Sequence, residues 1–211
     1  MGLPMGAQRL VVFLVLHEGL LLRQHVAGSL WPDTTEQHAS GSLPSALWRL
    51  GQPTHPVVEV VDAHLRLSRS VAVDVHASEA LARRILGGAD LDETDLDARL
   101  LADDLLPDWT EDWVQIRSEQ HTQLRLRALE TLCRRLTGSG RFGQAVQVGM
   151  VAVAGEPLRE SAQRALIAAH LADGNVGAAV GQYRVFARFL RSELGLEPSP
   201  AMQTLMDGLT G

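Results

Sequence analysis

A chain of 211 residues that is 45% apolar but only 4% aromatic has enough Leu, Val and Ala for a packed helical core and points away from a β-sandwich. Its single cysteine, Cys133, excludes an intrachain disulfide framework and fits a reducing cytoplasm, where the protein is expected to reside. A net charge of −6 excludes a uniformly basic nucleic-acid module, so any basic footprint must be local.

Every one of the 19 basic residues is arginine. Residues 1–76 hold five of them against six acids, and residues 77–211 hold 14 against 19, so neither half is strongly basic. The apolar run Leu10 to Leu16 is too short to span a bilayer and lacks a basic flank and a cleavage site, so it reads as a buried helix rather than a membrane or targeting segment.

In chain order, residues 7–18 form a first helix stopped by Gly19, and Leu20 to Leu22 is a short link or a single strand. A second helix covers residues 23–31 and ends before Pro32. Asp33, Thr34 and Thr35 offer N-cap oxygens for a third helix. On that helix Ala39, Leu43, Ala46, Leu47 and Leu50 share one face, and His38, Gly41, Ser45, Trp48 and Arg49 share the other.

Pro44 lies in its middle. Proline removes a backbone donor and is welcome only in a first turn, so the helix is expected to begin near Leu43, with 33–40 a separate turn, or to kink at Pro44. Residues 52–56 (QPTHP) form a loop, and residues 57–61 and 64–68 form a hairpin turned at Asp62-Ala63. Three helices followed by a hairpin is the order of a winged helix-turn-helix.

From residue 77 the pattern is almost entirely helical, with helices expected over 77–87, 97–105, 112–137, 141–154, 158–173, 175–194 and 200–209. Gly140-Arg-Phe-x-x-Ala145 recurs as Gly174-Asn-Val-x-x-Ala179 at an offset of 34 residues, the period of tetratricopeptide helix pairs. Such pairs bury one face only against a neighbour and therefore stack.

No motif points to an enzyme, a cofactor or a metal. Gly138 to Gly143 matches G-x-G-x-x-G but follows a helix rather than a strand, so it reads as a helix-to-helix turn. The eight histidines lack metal-ligand spacing, and Cys133 sits among leucines as a small core residue. Asp103-Asp104 and Glu111-Asp112 read as solvated surface and helix N-terminal charge.

The segments LVVFLVLHEG, HVAGSLWPD, GSLPSALWRL, VVEVVDAHLRL and AVDVHASEALARRIL, in that order, resemble the DNA-binding half of SARP-type antibiotic regulatory activators. Residues 77–210, with LLPDWTEDWVQIRSEQHTQLRLRALETL, EPLRESAQRALIAAHLADGN and QYRVFARFLRSELGLEPSP, resemble the bacterial transcriptional activation domain that follows it. The resemblance implies a mainly α fold: an OmpR-like winged helix over 1–76, here without the family's N-terminal sheet, and a tetratricopeptide-like helical domain over 77–211.

It also implies a cytoplasmic activator that binds double-stranded DNA as a homodimer and contacts RNA polymerase. The family's DNA-facing positions fall on Ser42, Ser45, Trp48 and Arg49, with Arg66 and Arg69 on the wing. Pro44, the Gly51-Gln52 that follows the third helix, and a wing turn without glycine depart from the family pattern. The alternative is a helical interaction or ligand-sensing protein whose winged helix no longer binds DNA.

Overall fold

The computed structural model of the chain describes residues 2–32, 36–51, 56–96 and 98–207, residues 36–41 through their backbone alone. It is mainly helical, with one small sheet, and divides into two compact units, Met1–Val73 and Asp74–Gly211. The division falls three residues before the expected 76/77 boundary, because Asp74 opens a helix whose Val75, Leu81, Ala82 and Ile85 are buried.

In the first unit, α1 (Met5–Leu16) is followed by β1 (Leu21–Leu22), α2 (Arg23–Leu30), α3 (Glu36–Leu50), β2 (Val58–Val61) and β3 (His64–Leu67). The expected single strand at 20–22 is present as β1, which pairs antiparallel with β3 in a sheet of order β1-β3-β2. α1 packs on α2, α3 and β3, and the core is Leu10, Phe13, Val26, Leu30, Leu43, Leu50 and Leu65.

The backbone N–H of Arg23 donates to the Ala63 carbonyl at 2.9 Å and ties the start of α2 to the hairpin turn. That turn has no glycine, and Asp62 takes its left-handed position at φ 53°, a conformation aspartate tolerates better than bulkier residues.

α3 corrects the expectation of a late start at Leu43. It runs unbroken from Glu36 to Leu50 with Pro44 in its interior. Pro44 is exposed, while Leu43, Ala46 and Leu50 are buried on the opposite side. Burial of that face holds the helix together across the missing hydrogen bond, as tertiary packing commonly overrides local propensity. The proposed caps at Asp33, Thr34 and Thr35, and residues 52–55 of the expected loop, lie outside the described residues.

The second unit contains α4 (Asp74–Leu86), α5 (Asp112–Gly138), α6 (Phe142–Gly155), α7 (Glu160–Ala172), α8 (Val176–Leu194) and α9 (Pro200–Met206). Successive helices from α4 to α5 and from α5 through α8 pack on one another, and α5 also packs on α7 and α7 on α9. The expected helix over 97–105 shrinks to a 3-10 turn at Ala98–Leu101. Its would-be continuation is captured from α5: Arg125 Nη1 donates to the carbonyls of Leu101 and Ala102 at 3.3 Å, and Ser118 Oγ donates to that of Leu105 at 3.0 Å.

The 34-residue repeat is carried into the backbone. Gly140 and Gly174 adopt φ of 76° and 75°, in the left-handed region that favours glycine. Arg141 N donates to the Leu136 carbonyl at 2.9 Å, and Asn175 N, 34 residues on, donates to that of His170 at 2.8 Å. The next helix begins at Phe142 in one copy and Val176 in the other, and Ala145 and Ala179 are both fully buried. The first of these turns carries the G-x-G-x-x-G of Gly138–Gly143, which joins α5 to α6.

Cys133 is fully buried in α5, and burial pushes its thiol up to about 11, so it is an inert core residue. Among the described residues, no helix is long and apolar enough to cross a membrane.

Candidate nucleic-acid interface

The buried face of α3 fixes what its other face presents. Once Leu43, Ala46 and Leu50 point into the first unit, Pro44, Ser45, Trp48 and Arg49 are exposed. Trp48 stands out: 74% of its surface is accessible, although tryptophan is the largest apolar side chain and is usually mostly buried. The Arg49 guanidinium carbon lies 5.1 Å from the centre of the Trp48 ring. A cation held over an indole face forms a flat, donor-bearing platform able to stack and to donate hydrogen bonds at once. Ser42 is half-buried and already engaged, so it lies at the margin of this face.

The two hairpin arginines differ from each other. Arg66 is committed: its Nε donates to Glu59 Oε2 at 2.7 Å, and its Nη2 lies 2.6 Å from the same oxygen. Glu59 sits directly across the ladder from Arg66, and Ser68 Oγ donates to its other oxygen at 3.0 Å. The Arg66 hydrogen bond is the main reason the Glu59 carboxyl is held below its ordinary range, with Ser68 adding to it. Arg69, two residues past β3, is exposed.

Residue chemistry alone did not single out Glu59, yet the signal is arithmetic. A two-residue turn at 62–63 places Val61 opposite His64 and therefore Glu59 opposite Arg66. The structure thus groups Ser45, Trp48 and Arg49 on one helical face and places Arg66 in a cross-strand latch.

In the second unit, the acids read as solvated surface are partly structural. Asp103 and Asp104 are exposed as expected, and Asp104 also pairs with the fully buried Arg125. Asp112 does lie in the first turn of α5. Glu79 and Glu130 are buried and hold Arg83 and Arg117, and Arg159 and Ser161, respectively. Only the Glu79–Arg83 pair follows from sequence spacing, at i,i+4 on α4; the others join residues brought together by packing. Among the described residues, no cluster of three His, Cys, Asp or Glu side chains could hold a metal ion.

Residues 73–209 match the model of a protein family described as the bacterial transcriptional activator domain. Among solved structures, the fold is similar to that of Mycobacterium tuberculosis EmbR, determined in complex with a low-affinity phosphopeptide. The TM-score is 0.63 at 18% sequence identity, and the likeness covers 99% of this chain and 60% of the EmbR chain. No curated protein matches the sequence.

Proposed function

The chain belongs to the bacterial transcriptional activator domain family, and from that premise we propose that it is a SARP-type, DNA-binding transcriptional activator. In this reading the first unit is a winged helix. α3 enters the major groove, Ser45, Trp48 and Arg49 meet DNA, Ser42 borders the contact, and Arg69 approaches the backbone from the wing. Arg66 acts there as a positioning residue, since its guanidinium already braces β2 against β3 through Glu59. The second unit is a tetratricopeptide-like array that contacts RNA polymerase, and the protein works in the cytoplasm as a side-by-side homodimer.

The observation that carries this reading is the exposed Trp48–Arg49 pair on a helix whose other side is buried in the core. The pair sets an aromatic face for stacking beside a guanidinium for hydrogen bonding. Arginine is the residue suited to bidentate contact with guanine or phosphate.

The test is a mobility-shift titration on the promoter region adjoining the protein's own coding sequence, at stated salt. Arg49→Ala should weaken specific binding by about 1–3 kcal/mol if Arg49 reads a base. Unchanged specific affinity would sink the role given to Arg49.

The net charge of −6 and the neutralised Arg66 favour a second reading, in which the helical array binds a protein or small ligand and DNA affinity is lost. A nonspecific-DNA or heparin column separates the two. A DNA binder is retained at about 50 mM salt and elutes as salt rises, because phosphate contacts release counterions. Flow-through at that salt favours the second reading.

A further inference from the structure

The second unit leaves two patterned helix faces uncovered, one on α8 and one on the first half of α5. On α8 the buried side is Ala179, Phe186 and Leu190. The other side presents Arg184, Val185, Arg188 and Phe189, with Val185 51% and Phe189 39% exposed. On α5, Asp112, Ile116 and Glu119 face outward, and Ile116 is 62% exposed.

Exposed apolar side chains are ordinary taken one at a time. Here the charges beside them carry the argument. Among the described residues Arg184 and Arg188 have no hydrogen bond or ion pair, whereas Arg191 on the same helix is spent on Glu197. Asp112 likewise has no partner among the described residues, and Glu119 gives only its Oε1 to Gln123.

The two faces match in position as well as in sign. At about 100° per residue, Arg184 and Arg188 lie to one side of the Val185–Phe189 stripe, and Asp112 and Glu119 lie to the same side of Ile116. In an antiparallel helix pair like flanks meet, so the arginines meet the acids. One register satisfies every contact. With Val185 set against Ile116, Arg188 falls nearest Asp112 and Arg184 nearest Glu119. The axial mismatches are about 3 Å or less at a rise of about 1.5 Å per residue, within the reach of an arginine. In the same register Gly181 falls opposite Gln120. A Cβ at Gly181 would meet nothing within 4 Å, so a partner helix can approach closely there.

Both faces are exposed within one chain, so neither covers the other in it. We propose that α8 of one copy packs antiparallel on the first half of α5 of a second copy. The two surfaces differ, so the contact is head-to-tail. It supplies a surface for the homodimer of the proposed function but forms without DNA, so failure of either reading leaves the other standing.

The experiment is analytical sedimentation of the full chain, without DNA, across a concentration series. A contact of one helix on another is small, so association should be weak and concentration-dependent. Raising salt from about 0.05 M to about 0.5 M should weaken it several-fold, because exposed pairs are screened. A chain carrying Arg184→Glu and Arg188→Glu should associate at least about tenfold more weakly, since like charges then oppose one another. A chain carrying Asp112→Arg and Glu119→Arg should do the same. Mixed in equal amounts, the two reversed chains should regain association, because each face then meets its opposite. If a reversed chain fails to fold, Ile116→Asp at its exposed position carries the test and should break the contact alone. A monomer at every concentration, association indifferent to these substitutions, or reversed chains that do not recover on mixing would overturn the proposal and leave both faces as solvated surface.

Discussion

Arg49 and Arg125 carry the same guanidinium in opposite settings. Arg49 lies at the surface of the first unit, its charge resting over an exposed indole. Arg125 is 1% exposed in the second unit, its Nη1 spent on two carbonyls and its Nη2 on an aspartate. The contrast extends to the neighbours of each. The second unit has more arginines, but Arg83, Arg84, Arg117, Arg141, Arg159 and Arg191 are all paired with acids. A count of basic residues therefore says little about a surface, because it does not tell which charges the fold has already paired.

The sharpest way to break this comparison is Arg125→Ala. If Arg125 is structural, its loss strands the Leu101 and Ala102 carbonyls and should destabilise the chain by about 1–3 kcal/mol for each group left unsatisfied, measured by urea unfolding. Arg49→Ala should leave the same unfolding curve nearly unmoved. Equal effects of the two would erase the distinction.

Pro44→Ala comes next and has the opposite sign. In an unbroken α3 the replacement restores an interior hydrogen bond and should stabilise by about 2 kcal/mol. A helix that began at Leu43 would place proline in its first turn, and the gain would vanish.

Gly155→Ala probes how firmly Arg125 is held. An added Cβ would stand 2.9 Å from Leu126 Cδ2 and 3.1 Å from Arg125 Nη1. Since the guanidinium is pinned, overpacking should cost about 1–3 kcal/mol, and thermal unfolding reads it.

A pH series probes the second unit through His121. His121 is held below its ordinary value of 6.5, first by burial. The unfolded chain then binds the extra proton first as pH falls. The His121 contribution is thus fully present above about pH 6.5 and is lost as pH drops toward the lower folded value. Urea midpoints between pH 5 and 8 should show that slope in the wild type and not in His121→Gln.

The smallest expected effect is Glu59→Gln. It should barely change stability, since the latch is a surface pair. By freeing Arg66 it should raise nonspecific DNA affinity and steepen its salt dependence by about one phosphate contact.

Much of the fold was legible because its signals are local. The hairpin follows from β-branched runs around a two-residue turn, and the cross-strand partner of Arg66 follows from that turn by counting. The repeat is legible because the same glycine and alanine, 34 residues apart, meet the same backbone demands: a left-handed turn and a site with no room for a larger side chain.

The course of α3 was not legible. Proline lowers helix propensity wherever it stands, and only the burial of Leu43, Ala46 and Leu50 outweighs it. The 97–105 segment failed for the mirror reason: its sequence permits a helix, but side chains from α5 take its carbonyls first.

The sequence by itself determined the order of elements, the repeat and the amphipathic division of α3 into an apolar and a polar face. Each of these rests on residues within a few positions, or one fixed period, of each other. Only the tertiary structure decided which charges are spent and which remain. Arg66 meets Glu59 across a ladder, and Arg125 meets the Leu101 and Ala102 carbonyls from another helix. Pairing energies fall off within a few ångströms, so they answer to distance in space, which the spacing of residues along a chain does not encode.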